Sequence, residues 1–115
     1  TVMDAKTVLR MATLGGARAL GLGDVTGSLE PGKKADLIVV DMRKPHLTPM
    51  YNAPSHLVYS AKGSDVRDVM VDGRMVVENR RLLTLDLESV MNQVAAFSRQ
   101  VHRRPQDFED LKGDL

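Results

Sequence analysis

The sequence lacks cysteine and tryptophan, and its aromatic residues are only two tyrosines and two phenylalanines. The absence of cysteine excludes a disulfide framework and any thiolate metal site, and it agrees with a cytoplasmic location. With so few rings, a core must come mainly from Val, Leu, Ile, Met and Ala. The chain also lacks an apolar run near the roughly 18 residues of a membrane span, so we expect no membrane partner.

A large excess of either charge is absent as well, since the formal net charge of the 115 residues is +1. This balance gives no electrostatic field for gathering nucleic acid, so no nucleic-acid partner is expected. The basic pairs have no aromatic residues between them, and we interpret them as solvated surface: Lys33-Lys34, Arg80-Arg81 and Arg103-Arg104.

The stretch from Gly27 to Asp41, GSLEPGKKADLIVVD, has the strongest local pattern. Pro31 followed by Gly32 is typical of a type II turn, in which the glycine takes a positive φ. The two lysines that follow are expected to keep this turn in water. The apolar run after them, rich in β-branched side chains, predicts a strand covered on both faces.

Turn residues predict the remaining strands. Asp72-Gly73 is a strong signal for a two-residue type I′ hairpin turn, with a kink at Asn79 beyond which the second arm continues. The predicted strands lie near residues 27–29, 36–41, 66–71 and 74–78.

Capping residues and apolar periodicity predict two main helices, near residues 4–20 and 86–102. Asp4 and Asp86 are good N-caps, and Thr13 before two glycines predicts an interruption of the first helix. Gly21 is expected to end that helix. Residues 42–55 contain three prolines and predict an ordered loop, after which Ser55 would cap a short helix.

The pattern G-S-L-E-x-G-K-x-A-D-x-I-V-x-D resembles the C-terminal signature of the metal-dependent amidohydrolase superfamily. Residues 11–22 resemble the last helical segment of its (β/α)₈ barrel, and residues 65–83 resemble the hairpin that follows the signature strand. The loop HLTPMYN with SHLVY, residues 46–52 and 55–59, resembles the 5-methylthioadenosine/S-adenosylhomocysteine deaminases, which are grouped with the triazine hydrolases.

This resemblance implies a mononuclear metal site, with Zn or Fe, whose hydroxide attacks C6 of an adenine ring and releases ammonia. The family's ligands are a His-x-His pair, two more histidines and an aspartate, all upstream of this chain's residues. No His-x-His occurs here. We therefore assign no catalytic, cofactor-binding or metal residue to this chain.

Other candidate residues favour structural roles. The histidines, which a metal site would need to converge, are His46, His56 and His102; His56 is expected to cap or pack against the loop. Asp36 and Asp41 should face opposite sides of their strand, which argues against a carboxylate pair. Asp36 would instead accept hydrogen bonds from the preceding turn.

The remaining polar candidates carry weaker signals. Glu30 with Lys33 or Lys34 is an exposed pair of little energetic value. The serines have no triad-like neighbours in sequence, although triads cannot be recognised from residue order alone: Ser28, Ser55 and Ser60. Gly21-Leu22-Gly23 lacks the strand that precedes a dinucleotide-binding loop.

The predicted fold class is α+β: the C-terminal part of an amidohydrolase composite β-sandwich, with the last barrel helices before it. We assign residues 1–22 to those helices, 23–104 to a partial sandwich with a closing helix, and 105–115 to a disordered tail. The chain begins without a methionine and is expected to be a piece of a longer enzyme. Its expected partners are that enzyme's N-terminal strands and barrel, and a second copy of itself. The alternatives are another nucleobase deaminase, a triazine hydrolase, or a free-standing β module that binds a protein.

Overall fold

A computed structural model of the chain describes residues 3–101. The chain divides into two units, Thr1–Thr84 and Leu85–Leu115. The first unit combines short helices with one antiparallel sheet. This mixture confirms the α+β class.

The first unit opens with one helical run: α1 (Ala5–Arg10), a π-helical segment (Met11–Gly15) and α2 (Gly16–Ala19). Asp4 caps its start, because the Asp4 Oδ1 accepts from the Thr7 N–H at 2.7 Å. The predicted interruption at Thr13 is wrong. The Thr13 hydroxyl donates back to the Leu9 carbonyl at 2.9 Å, so the helix widens into a π turn instead of ending there.

Four strands form the sheet in the order β1-β2-β3-β4, with each neighbouring pair antiparallel. They are β1 (Leu37–Val40), β2 (Val66–Val71), β3 (Arg74–Glu78) and β4 (Arg81–Leu82). Three of the predicted strands are therefore confirmed. The predicted strand at residues 27–29 is wrong, since this segment is irregular and no ladder partner holds it in the described part of the chain.

The kink predicted at Asn79 is instead a second tight turn. Asn79 and Arg80 have φ values of 46° and 65°, and β4 folds back to pair with β3. The second arm of the hairpin does not continue beyond Asn79, so that prediction is wrong. Two left-handed residues in succession reverse the chain, and Asp68 stabilises the reversal by accepting from the Asn79 N–H at 2.8 Å.

The β2–β3 turn agrees with the type I′ prediction, because φ is 51° at Asp72 and 78° at Gly73. We expect Gly73→Val to cost about 1–3 kcal/mol of unfolding free energy, since a β-branched residue resists positive φ. Urea denaturation measures this loss. No heavy atom outside the neighbouring residues lies within 4 Å of a Cβ built at Gly73, so an unchanged stability would show that the turn rearranges.

The connection from β1 to β2 contains three short helical elements: a 3₁₀ turn (Pro45–Leu47), α3 (Ala53–Tyr59) and a second 3₁₀ turn (Gly63–Asp65). The helix begins earlier than predicted. Its cap is Asn52, whose Oδ1 accepts from the Ser55 N–H at 3.0 Å, and not Ser55. Asn52 is the better cap because it places Pro54 in the first turn of the helix, where proline is tolerated.

In the first unit, the apolar residues of β1 are not the most buried ones. Ile38 is 57% exposed, so the prediction that this strand is covered on both faces is wrong for the described chain. Leu47, in the Pro-rich connection, is instead completely buried. The connection therefore contributes to the core rather than lying over it as a loop.

The second unit contains α4 (Leu87–Val101), which confirms the predicted helix. Asp86 caps it, with the Ser89 N–H donating to Asp86 Oδ1 at 3.2 Å. His102, Arg103-Arg104 and the predicted tail lie outside the described residues. No helix in the described part of the chain has the length and apolar character needed to cross a membrane.

Candidate functional site

Charged side chains collect where β1 ends and β4 begins. Asp41 forms ion pairs with Arg80 Nη2 at 3.0 Å and with Lys44 Nζ at 3.2 Å. Its carboxylate also accepts from the Arg43 N–H at 3.0 Å. These groups, the Arg43 N–H first, lower the pKa of Asp41 from 3.8 to about 2. Arg80 therefore links the start of β4 to the end of β1 while it remains exposed, as expected of a surface residue.

A buried carboxylate lies beside this cluster. Asp65 is 3% exposed, and its Oδ2 is 2.7 Å from His46 Nε2 and 2.8 Å from the Lys62 N–H. The hydrogen bond from His46, and then that from Lys62, lower the pKa of Asp65. Sequence reasoning missed this pair. The available signal was an acidic residue three positions after Lys62, which suits the first turn of a helix.

Lys33 fixes the irregular segment before β1. Its Nζ donates to the Gly23 carbonyl at 2.6 Å and to the Ser28 hydroxyl at 2.7 Å, and pairs with Glu30 at 3.2 Å. The Lys33 side chain is only 14% exposed. The expectation that both lysines keep the turn in water is therefore wrong for Lys33. Lys34, half exposed, instead pairs with Asp72 at 3.1 Å.

Asp36 joins two turns that are distant in sequence. Its Oδ2 accepts from the Thr26 hydroxyl at 2.7 Å. Thr26 lies before the Pro31-Gly32 turn, so the prediction that Asp36 accepts from that turn is wrong in its partner. Its Oδ1 accepts from the Asp72 N–H of the hairpin turn, also at 2.7 Å. The Asp72 N–H, followed by the Thr26 hydroxyl, lowers the pKa of Asp36. Asp36 and Asp41 thus bind different partners and do not act as a carboxylate pair.

An open groove of about 1160 Å³ lies between the first helical run and the sheet. Its walls are mainly apolar and include Leu9, Leu14, Leu37, Ile38 and Met70. Acid–base or nucleophilic groups are scarce there. Among the lining residues the acidic one is Asp36, and its two oxygens are already bonded. This groove suits an apolar protein segment better than a reacting small molecule.

His46 and His56, the two histidines within the described residues, do not converge. His46 binds Asp65, whereas His56 packs against the loop as predicted, with Nδ1 2.9 Å from the Asn52 carbonyl oxygen and Nε2 3.2 Å from that of Pro49. Within residues 3–101, no three His, Asp or Glu side chains group as metal ligands. The described residues therefore do not fit the metal centre that the resemblance implies.

The serines and the Gly21-Leu22-Gly23 segment have local structural roles. Ser28 bonds Lys33 and Glu30, Ser55 bonds the Asn52 cap, and Ser60 ends α3. Gly21 has φ of 72° at the end of the helical run, as predicted for a terminating glycine. The segment follows a helix and not a strand, so it lacks the geometry of a dinucleotide loop.

Acid should weaken this fold through its bonded carboxylates. The folded-state pKa values of Asp36, Asp41 and Asp65 lie below the ordinary value of 3.8. Their stabilisation is therefore present above about pH 4 and is lost as the pH falls through the lowered values. Urea midpoints measured from pH 6 to pH 2 test this. Asp41→Asn should flatten the dependence between pH 4 and pH 2, and an identical slope would contradict the assignment.

Comparison with protein families identifies the chain. Residues 1–76 match the family described as the amidohydrolase family, which is more than half of the 115 residues. The chain belongs to the amidohydrolase family. The resemblance inferred from the signature stretch is therefore confirmed.

Named relatives are similar over most of the chain. The 5-methylthioadenosine/S-adenosylhomocysteine deaminase of Syntrophobacter fumaroxidans is 58% identical over 88% of the chain and 23% of the relative. The 5'-deoxyadenosine deaminase of Methanosarcina acetivorans is 52% identical over 90% of the chain and 24% of the relative. The chain thus spans about a quarter of the length of these curated relatives.

Solved structures agree with these relatives. An adenosine deaminase from Xanthomonas campestris with bound zinc has a TM-score of 0.82 and 39% identity, over 87% of this chain and 23% of that one. Atrazine chlorohydrolase from Arthrobacter aurescens, complexed with zinc and atraton, has a TM-score of 0.73 and 31% identity, over 82% and 20%. The fold is therefore that of a fragment of an amidohydrolase.

Proposed function

We propose that this chain is the C-terminal part of a metal-dependent amidohydrolase that deaminates adenine-type nucleosides such as 5-methylthioadenosine or S-adenosylhomocysteine. The observation that supports this most is 58% identity to a deaminase of that name over 88% of the chain. In this proposal the chain supplies scaffold, and the catalytic groups and a zinc or iron ion belong to the other three quarters of the enzyme.

The scaffold role is supported by the geometry of the first unit. Polar side chains such as Asp36 and Lys33 hold turns together, and both oxygens of Asp36, the acidic residue that lines the groove, are already bonded. We propose residues 1–22 as the last barrel helices, 23–104 as part of a composite sandwich with α4 as its closing helix, and 105–115 as a tail. Upstream strands and the barrel would then be the partners of this fragment.

The proposal predicts that the isolated chain neither binds zinc nor iron tightly nor releases ammonia from adenosine derivatives. Purified residues 1–115 would be analysed for metal and assayed for ammonia. Stoichiometric metal, or turnover above the blank, would contradict the scaffold role. The 5-methylthioadenosine deaminase activity itself is tested separately, on the enzyme encoded by the complete reading frame.

Two alternatives have specific support. A triazine-type hydrolase or another nucleobase deaminase is favoured by the likeness to atrazine chlorohydrolase and, at a TM-score of 0.58, to guanine deaminase from E. coli. A free-standing β module that binds a protein is favoured by the exposed Ile38 on an edge strand. The coding region upstream of Thr1 separates these, since a His-x-His barrel supports an enzyme and a nearby start codon supports the module.

We also propose that the isolated chain self-associates. β1 is an edge strand that pairs only with β2 among the described residues, and Met11 and Ile38 are more than half exposed. Exposed edges and apolar patches recruit other chains. Sedimentation over a concentration series should show a rising average mass. A monodisperse monomer at high concentration would contradict self-association and would favour the free-standing module.

A further inference from the structure

Asp65 is a structural junction at the entry to β2. Its carboxylate accepts from Lys62 N–H and contacts His46 Nε2, while its carbonyl accepts from the Asp41 N–H at 2.8 Å and its N–H donates to the Lys62 carbonyl at 2.9 Å. Asp65, the last residue of the second 3₁₀ turn, thus contacts both the end of β1 and the first 3₁₀ turn. A buried carboxylate is costly unless donors satisfy it.

His46 is the side chain that satisfies this carboxylate in the described structure. The neighbouring cations have other partners: Lys44 and Arg80 bind Asp41, and the Arg80 Nε donates to the Ser64 carbonyl at 3.3 Å. The groups facing Asp65 are therefore His46 and the Lys62 N–H, with Lys44 close enough to act through its charge. Loss of the His46 imidazole would leave one buried oxygen with a single donor.

The contact between His46 and Asp65 lies near the start of the long connection between β1 and β2. Leu47, the next residue, is completely buried, so residues 45–47 are anchored by one polar and one apolar contact. Further along, His56 bridges the Pro49 and Asn52 carbonyl oxygens, and α3 contacts α1. The connection of residues 42–60 therefore ties the end of the sheet to the first helix.

We propose that His46 and Asp65 form a latch that holds residues 42–60 against the end of the sheet and can open while the β2–β3 hairpin stays folded. The hairpin has its own supports, namely its ladder, the Asp36–Asp72 bond and the Asp68–Asn79 bond, and these share no group with the latch. Opening would displace α3 from α1. This conformational device goes beyond the scaffold role proposed above and does not depend on the identity of the substrate.

Hydrogen–deuterium exchange on residues 1–115 tests the latch. In His46→Gln, amides of residues 44–49 and 60–66 should exchange about tenfold faster or more, while amides of residues 69–77 keep their wild-type rates. His56→Gln is the matched control, because it removes an imidazole from the same connection without touching Asp65. It should leave the rates of residues 60–66 unchanged.

Two results would overturn the proposal. Unchanged exchange over residues 44–49 and 60–66 in His46→Gln would show that the contact holds nothing. Faster exchange throughout the chain, or failure of the variant to fold, would show that the pair supports the whole unit and is not a local latch.

Discussion

Gly27→Ala is expected to lower the unfolding free energy of the chain by about 2–5 kcal/mol, because two costs add at this position. Gly27 has φ of 89°, and a left-handed conformation costs an L-residue about 1–2 kcal/mol. A Cβ there would also lie 2.6 Å from the Ala17 Cβ and 3.0 Å from the Leu14 Cα. Crowding of a packed site costs about 1–3 kcal/mol more.

Gly32→Ala is the matched control for this prediction. Its φ is 88°, nearly that of Gly27, but a Cβ at Gly32 would have nothing within 4 Å. It should therefore lose only the conformational cost of about 1–2 kcal/mol. Urea denaturation measures the unfolding free energy of both variants, and the difference between them gives the cost of crowding at residue 27. Equal losses would show that the first helix moves away from residue 27 without cost.

This contact explains the first glycine of the signature stretch. Gly27 lies against Ala17 and the backbone of Leu14, so the segment before β1 packs directly on the first helical run. Sequence reasoning recognised the turn at Gly32, since Pro-Gly is a local signal. It could not recognise the role of Gly27, because the requirement comes from a helix ten residues away in the chain.

The other correct predictions also rest on neighbouring residues, and the features that were missed depend on residues distant in the chain. The Asp72-Gly73 turn and the Asp4 and Asp86 caps were predictable, because each depends on neighbouring residues alone. The burial of Lys33 and the ion pair of the exposed Arg80 were not predictable. Their partners, Gly23 and Asp41, are 10 and 39 positions away and are brought close only by the fold.

The candidate site shows the same difference between features that depend on neighbouring residues and features that depend on distant ones. The lack of His-x-His is visible in the sequence, and the absence of catalytic residues from this chain remains a prediction. The His46–Asp65 pair was not predicted, since His46 was considered only as a candidate metal ligand. Their partnership spans 19 positions and a Pro-rich connection, whose path no local pattern determines.

Leu47→Ala is expected to destabilise the chain by about 2–5 kcal/mol, the usual range for truncating a buried leucine. Leu47 is completely buried, although it lies in a connection with three prolines where the sequence predicted an ordered loop. The loss combines the transfer free energy of the removed methyl groups with the cavity that they leave. Urea denaturation followed by circular dichroism measures it.

Leu29→Ala serves as the control for Leu47→Ala, because it makes the same chemical change at a side chain that is 73% exposed. Its cost should stay within about 0.5 kcal/mol, as for most surface substitutions. Leu47→Met, which nearly conserves volume, should cost less than about 1.5 kcal/mol. If Leu47→Ala were as mild as Leu29→Ala, the Pro-rich connection would not contribute to the core. The His46–Asp65 latch would then lack the apolar anchor beside it.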